Sequence, residues 1–253
     1  MYTLMNLKRK IDAFAKIPAE EYAILSQVLG PPIVLERGSE LLFRQRRRHK
    51  AFLICDGWAY TQRTLANGSR QIVDIAVPGD IVGLRCMMLR DTIGKGIMLS
   101  NSTVHEIDAK TFLDLLTEAP RAAAALIWAG SKDETLLVER LASLGRRVAA
   151  ERVAHFFLEL KLRLKAIGKC PGDRYSCPLS QGQIADALGL TPAHLNRTLR
   201  QLRELGLLDF HDGEVVIADE KKAAQFALFE GDYLDIDRVM IPPSASAPDG
   251  LRL

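Results

Sequence analysis

Two spacings of apolar residues divide the chain. From Ile33 to Ile107 short apolar runs alternate with turn residues, and from Ala109 onward apolar positions recur at steps of three and four. Ahead of both lies an amphipathic segment, Ile11 to Leu29, which the pattern predicts as a helix stopped by Gly30-Pro31-Pro32. The runs Ile33–Leu35, Leu41–Phe43, Ala51–Cys55, Trp58–Thr61, Gln71–Val77, Ile81–Leu84, Gly96–Leu99 and Thr103–Ile107 predict strands. Arg37-Gly38-Ser39, Asp56-Gly57, Asn67-Gly68 and Pro78-Gly79-Asp80 separate them. Asn67-Gly68 predicts a tight hairpin with positive φ at both central positions. Many short strands at such intervals predict an antiparallel barrel or jelly roll.

The helical part begins with a short segment, Lys110 to Glu118, stopped at Pro120, and a long one that runs to about Ser143. Along the long one Ala123, Ile127, Gly130, Glu134, Leu137, Leu141 and Leu144 recur at alternating steps of three and four, which is the spacing of a coiled-coil seam. The stripe predicts pairing with a second copy of the chain; packing on the barrel is the alternative. Gly145 is placed to cap the helix, which sets a boundary at 143–146. A further helix, Arg146 to about Ala166, leads to a loop through Gly168, Pro171, Gly172 and Pro178. The expected divisions are 1–118 for the barrel, 119–144 for the long helix, 145–219 for a C-terminal domain, and 220–253 for a short helix at Lys221–Phe229 with a flexible tail.

The C-terminal domain carries the most specific signal. Ser180 with Gln183 makes a capping box ahead of the apolar positions Ile184, Ala185 and Leu188. Gly189 stands where the chain must turn, Thr191 caps a second helix, and Pro192 occupies its first position, where a missing N–H costs nothing. Leu195, Leu199, Leu202 and Leu205 form that helix's inner face. Two helices joined by a short glycine-containing turn predict a helix-turn-helix, whose second helix enters the major groove of DNA. Its outward face carries His194, Asn196, Arg197, Arg200 and Arg203. Arg197, Asn196 and His194 are the candidate base readers, since Arg pairs bidentately with guanine and Asn with adenine. Ser180, Gln181, Thr191 and Arg200 are candidate phosphate contacts, joined by His211 near the tip of a hairpin, Leu207–Ile217, that predicts a wing. The whole is an α+β chain.

Composition narrows the function class but does not choose it. The 253 residues are 48% hydrophobic and 26% charged, a balance typical of globular domains. A net charge of +3 is too small to announce a polyanion partner, so a DNA argument rests on where the charges sit. No apolar run reaches membrane-spanning length and the start lacks an export signal, which predicts a cytoplasmic protein without a membrane partner. Cys55, Cys86, Cys170 and Cys177 lack paired ligand spacing; Cys170 and Cys177 are candidate redox thiols, with inert burial as the alternative. His49, His105 and His155 stand singly, so no metal and no cofactor is expected. The basic run Arg44–Lys50 is expected to be a solvated loop between strands.

A β-roll, a long helix and a winged helix-turn-helix in this order resemble the Crp/Fnr family of regulators over roughly Ala13 to Asp219. Pro78-Gly-Asp-Ile-Val-Gly-Leu is similar to that family's turn between strands. Leu190–Leu199 is similar to its reading helix, in the Thr-Pro-x-His-x-Asn-Arg form of alphaproteobacterial relatives. The resemblance implies a cyclic-nucleotide-binding-like jelly roll that senses a signal, a homodimer on palindromic double-stranded DNA, and contact with RNA polymerase. It implies an effector pocket near Gly79, Asp80 and Thr92. The departures are specific: Asp80 takes the place of a Glu, and Thr92-Ile93 falls where cyclic-nucleotide binders carry Arg-Ser, so cyclic AMP would meet no cation. No cysteine precedes Cys55, which argues against an iron–sulfur cluster. Ala193 stands where the family often has a Glu, while Arg197 is retained. Two alternatives stay open: a metal-dependent cupin-like enzyme, and a barrel that serves only as a ligand-free dimerisation module.

Overall fold

The computed structural model describes residues 5–14, 17–45, 48–88 and 94–234. Thr92, part of the basic run (residues 46 and 47) and the Pro-rich tail lie outside the described residues.

Two helices precede the strands, α1 (Met5–Phe14) and α2 (Ala19–Val28). The single helix expected over Ile11–Leu29 is thus divided, and Pro18, with extended backbone (ψ 148°), starts the second. The stop is also displaced. Gly30-Pro31-Pro32 lies inside β1 (Leu29–Leu35), and its register slips between Leu29 and Pro32. The chain tolerates proline there because, among the described residues, β1 pairs only with β9 (Ser102–Asp108), which leaves its other edge unladdered.

The roll is made of two antiparallel sheets. One runs β1, β9, β4 (Arg48–Asp56), β3 (Arg44–Gln45), with β7 (Ile81–Val82) also on β4; the other runs β2 (Glu40–Leu41), β8 (Lys95–Met98), β5 (Ala59–Thr64), β6 (Arg70–Ala76). Strand β4 shows why the sequence is apolar without interruption from Ala51 to Cys55. Phe52 and Ile54 point into the roll beside Phe43 and Met98, whereas Ala51, Leu53 and Cys55 face a helical layer with Leu25, Phe112 and Leu126. The basic run is not a plain loop, since Arg44 and Gln45 pair with His49 and Arg48. Residues after Val82 turn into a short helix, α3 (Leu84–Met88), where a strand was expected. At the Asn67-Gly68 hairpin only Gly68 has positive φ (+81°), and Gly68 N–H donates to Leu65 O. That makes a three-residue loop of type I geometry, not a two-residue primed turn.

Helix α4 (Ala109–Glu118) is capped by Asp108, and α5 (Pro120–Arg146) follows. Helix α5 passes straight through Gly145, contrary to the expected cap, and ends at Arg147 in extended backbone. Helix α6 (Ala149–Ala166) opens the C-terminal domain. The domain continues through β10 (Arg174–Ser176), α7 (Gln181–Leu188), α8 (Pro192–Glu204), β11 (Asp209–His211), β12 (Glu214–Val216) and α9 (Glu220–Ala227). The wing has three strands, because β10 in the cysteine-bearing loop pairs with β12. Trp58, Tyr60, Ile75 and Val77 of the roll join Phe157, Leu188 and Leu202 in one core, so the two domains pack directly on each other.

Candidate nucleic-acid interface

Helix α7 begins where the Ser180 hydroxyl accepts from Gln183 N–H and Gln183 Oε1 accepts from Ser180 N–H, two otherwise orphan donors satisfied reciprocally. Its end is Gly189 at φ +62° and ψ +38°, left-handed backbone that a side chain would strain. Three residues later α8 starts with Pro192 in its first turn, and Thr191 Oγ1 accepts from His194 N–H. Leu195, Leu199 and Leu202 are buried, and Thr198 beside them donates to His194 O. The expected inner leucine Leu205 is 44% exposed, because α8 ends at Glu204.

The opposite face of α8 is bare. His194, Asn196, Arg197, Arg200 and Arg203 are all exposed, as are Ser180, Gln181, Thr191 and His211. The three arginines are not equivalent. Arg200 pairs with Glu204 at 2.9 Å, and Arg203 pairs with Asp209 at 2.7 Å, whereas Arg197 makes no ion pair among the described residues. The wing tip is a two-residue turn with positive φ at Asp212 (+49°) and Gly213 (+75°), the geometry of a type I′ hairpin. His211 sits at its shoulder, with Nδ1 3.0 Å from the Asp212 carboxylate.

Contacts that seat this unit were not legible in the sequence. Arg70 of β6 reaches Asp186 of α7 at 2.5 Å, and Gln71 donates to Ala187 O at 3.3 Å. From α6, Arg152 donates to Leu188 O at 2.8 Å, holding the end of α7 next to the turn.

Of the expected effector residues, Gly79 and Asp80 line a small recess against α1, α5 and α6, and Thr92 lies outside the described residues. Between the roll and α5 lies a cavity of about 600 Å³, and neither Gly79 nor Asp80 lines it. Asp80 instead pairs with Lys10 of α1 and with Arg163 of α6 (2.7 Å). Burial would raise its pKa, but Lys10 and Arg163 outweigh burial and hold it down at about 2. Among the described residues the cavity wall carries Asp74, Asp133 and Glu134 against one cation, Arg85, with Phe43, Val82, Leu84 and Ile127 as apolar lining. Desolvation, reinforced by Asp74 and Asp80, raises Asp133 well above the usual carboxylate range. A carboxyl raised in the folded state penalises folding as pH climbs above its unfolded value of about 3.9. D133N is therefore expected to unfold at a higher temperature than the parent, by roughly 2–4 °C per kcal/mol relieved. The gap should widen from pH 4 to pH 8 in thermal melts and close below the unfolded pKa; a gap independent of pH would refute this assignment.

The cysteine candidates are buried thiols. Burial pushes Cys177 up to about 12 and also raises Cys170, which donates to Gly172 O and Arg174 O, so neither is poised as a thiolate. His49 and His105 both spend Nδ1 on backbone carbonyls, of Cys86 and Gly30 respectively. Among the described residues no group of three or more His, Cys, Asp or Glu is placed to hold a metal ion, and no helix is long and apolar enough to cross a membrane.

A roll packed on a long helix, followed by a winged helix-turn-helix with a bare basic face, defines a two-domain DNA-binding regulator. Residues 32–119 match the model for the cyclic nucleotide-binding domain, and residues 151–225 match that for the Crp-like helix-turn-helix domain. The nitrogen fixation regulation protein FixK of Azorhizobium caulinodans is 29% identical over 216 residues, which cover 82% of this chain and 84% of that protein. The transcriptional activatory protein AadR of Rhodopseudomonas palustris is 29% identical over 178 residues, 68% of this chain and 70% of that one. The solved structure of FixK2 from Bradyrhizobium japonicum superimposes with a TM-score of 0.67 at 22% identity, over 78% of this chain and 96% of that one. The chain is a transcription regulator of the Crp/Fnr type with a helix-turn-helix DNA-binding domain.

Proposed function

We propose that the protein binds a palindromic double-stranded DNA site as a homodimer in the cytoplasm, reading bases with Arg197, Asn196 and His194 and meeting RNA polymerase at the promoters it controls. Ser180, Gln181, Thr191, Arg200 and His211 hold phosphates, and no catalytic step is assigned. The observation that carries this reading is the bare outer face of α8, on which Arg197 is exposed, with no ion pair among the described residues, beside Asn196 and His194. Selection of bound sequences from a random DNA pool should return a two-fold site with half-sites about 34 Å apart, one helical turn. Recovery of asymmetric or unrelated sequences would remove the proposal.

Pairing of two copies is supported by α5. Leu141 is 72% exposed, Val138 62%, Ile127 51% and Leu144 40%, an apolar stripe that the described residues of the same chain leave largely uncovered. The upper part of the expected seam is shared, because Ile127, Gly130, Glu134 and Leu137 also line the cavity against the roll. Leu141→Glu places a charge in the seam and should weaken dimerisation by about 100-fold or more, read by sedimentation equilibrium. Because Leu141 is exposed in the single chain, circular dichroism should stay unchanged. A variant that remains dimeric at the same concentrations would place the interface elsewhere.

Control by cyclic AMP or by an iron–sulfur cluster is not part of the proposal. Among the described residues a phosphate in the cavity would face three acidic side chains and a single guanidinium, and Asp80 is committed to Lys10 and Arg163.

A further inference from the structure

The chain beyond the winged domain is held in place rather than free. After α9 the backbone turns at Leu228, a non-glycine residue in the left-handed region (φ +50°), and passes through Phe229 into a 3-10 turn, Gly231–Leu234. Leucine is strained in that conformation, so neighbouring groups must hold it there. Arg147 supplies the hold. Its Nε donates to Ala227 O at 3.2 Å and its Nη2 to Leu228 O at 3.1 Å, carbonyls that a helix end leaves open.

Arg147 is also the extended residue that ends α5, and Val148 after it caps α6. The same guanidinium pairs with Glu139 of α5 at 2.8 Å, and Glu139 lies 3.1 Å from Nε2 of His155 on α6. The His155 ring meets Phe229 edge-on at 4.9 Å and stacks with Tyr233 at 6.2 Å. Farther along α5, Lys132 Nζ donates to Leu234 O at 3.4 Å, and Leu234 is buried. Gly231 approaches α6 so closely that a Cβ would lie 2.8 Å from the Leu162 side chain. The segment therefore grips both helices across a junction of two non-helical residues. All of it lies beyond residue 225, where the match to the Crp-like helix-turn-helix domain ends.

We propose that residues 228–234 form a strap that fixes the angle between α5 and α6 and thereby sets how far apart the two reading helices stand in the dimer. This rests on the dimeric DNA-binding reading above. The lever is long: α6 spans about 27 Å, so a swing of about 10° at the junction displaces its far end by roughly 5 Å, more than one base-pair step. The Arg140–Glu159 pair and the core shared with the roll also restrain α6, so losing the strap loosens the junction rather than freeing it, enough for each reading domain to adjust to shifted half-sites.

The test compares the full chain, a chain ending at Ala227, the Phe229→Ala/Tyr233→Ala variant, and a control ending at residue 236 that keeps the strap and lacks the tail. Each is titrated against the selected palindrome, against versions with one base pair added or removed at its centre, and against a single half-site. The full chain and the control should lose about tenfold or more in affinity on either change of spacing. The two strap-deficient chains should lose less than about threefold, with single half-site affinity preserved within about twofold. A strap-deficient chain that keeps the full spacing penalty would overturn the strap. So would one whose half-site affinity collapses, since the segment would then support the domain's fold and not its angle. If the full chain selects no two-fold site at all, the dimeric reading falls first and the strap with it.

Discussion

Replacing Arg197 with alanine is expected to abolish sequence-specific binding while leaving non-specific, salt-dependent affinity largely in place. A bidentate arginine–guanine contact is worth about 1–3 kcal/mol of discrimination, and a dimer makes it twice, so the loss should be roughly 30-fold to 10⁴-fold on the selected site. Arg200 and Arg203 share the same exposed face, but they sit against Glu204 and Asp209, which leaves Arg197 as the guanidinium with no partner there to give up. Removing Arg200 should accordingly weaken binding to all sequences alike and shallow the salt dependence, as loss of a phosphate contact does. The measurement is a set of fluorescence anisotropy titrations on the selected site, on a version with the half-sites scrambled, and across a salt series. If Arg197→Ala retains the parent's preference between the two DNAs, the guanidinium does not read a base.

The reading helix was legible from the sequence because each of its signals is local. Ser180 with Gln183, Gly189, Thr191 and Pro192 act within a few residues of the bonds they make, and all occupy the positions expected of them. The strands were legible from their apolar runs for the same reason. What failed was also local but depended on neighbours. Gly145 has a cap's composition, yet α5 runs past it because Arg147 provides the helix end. Gly30-Pro31-Pro32 has the composition of a breaker, yet it belongs to an edge strand whose partner β9 is about 70 residues away. The seam on α5 was found from its spacing, but not that its upper half also walls a cavity. Least legible was the role of Asp80, since Lys10 lies 70 residues before it and Arg163 lies 83 after it. No periodicity connects positions so far apart.

That ion network should carry a large share of the stability of the domain arrangement, and Arg163→Met is expected to show it. Arg163 is 6% exposed and donates to Asp80 at 2.7 Å, to Ile75 O at 2.8 Å and to Glu159 at 3.4 Å. Glu159, 1% exposed, also faces Arg140, which in turn meets Asp74 at 3.2 Å and Val73 O at 2.8 Å. Methionine keeps the length and the packing of the side chain but strips Asp80 and Glu159 of their shared cation. Breaking a buried pair from one side costs about 3–5 kcal/mol, because the remaining charge is stranded in a poor solvent. For a chain of this size that is a fall of roughly 6–20 °C in melting temperature. Neutralising the stranded partner as well, in Arg163→Met with Asp80→Asn, should recover part of the loss, since a pair removed together leaves less unsatisfied. The pH dependence has a definite sign. Asp80 is depressed to about 2, so its contribution is fully present above the unfolded value of about 3.9 and disappears as pH falls through 2. Melts at pH 7, 4 and 2.5 should show the parent losing stability across that acid window and Arg163→Met losing less, because part of its depression is already gone. A variant within about 1 kcal/mol of the parent at pH 7 would mean that Lys10 and Arg140 alone satisfy the two carboxylates, and that the roll and the reading domain are joined by apolar contact rather than by charge.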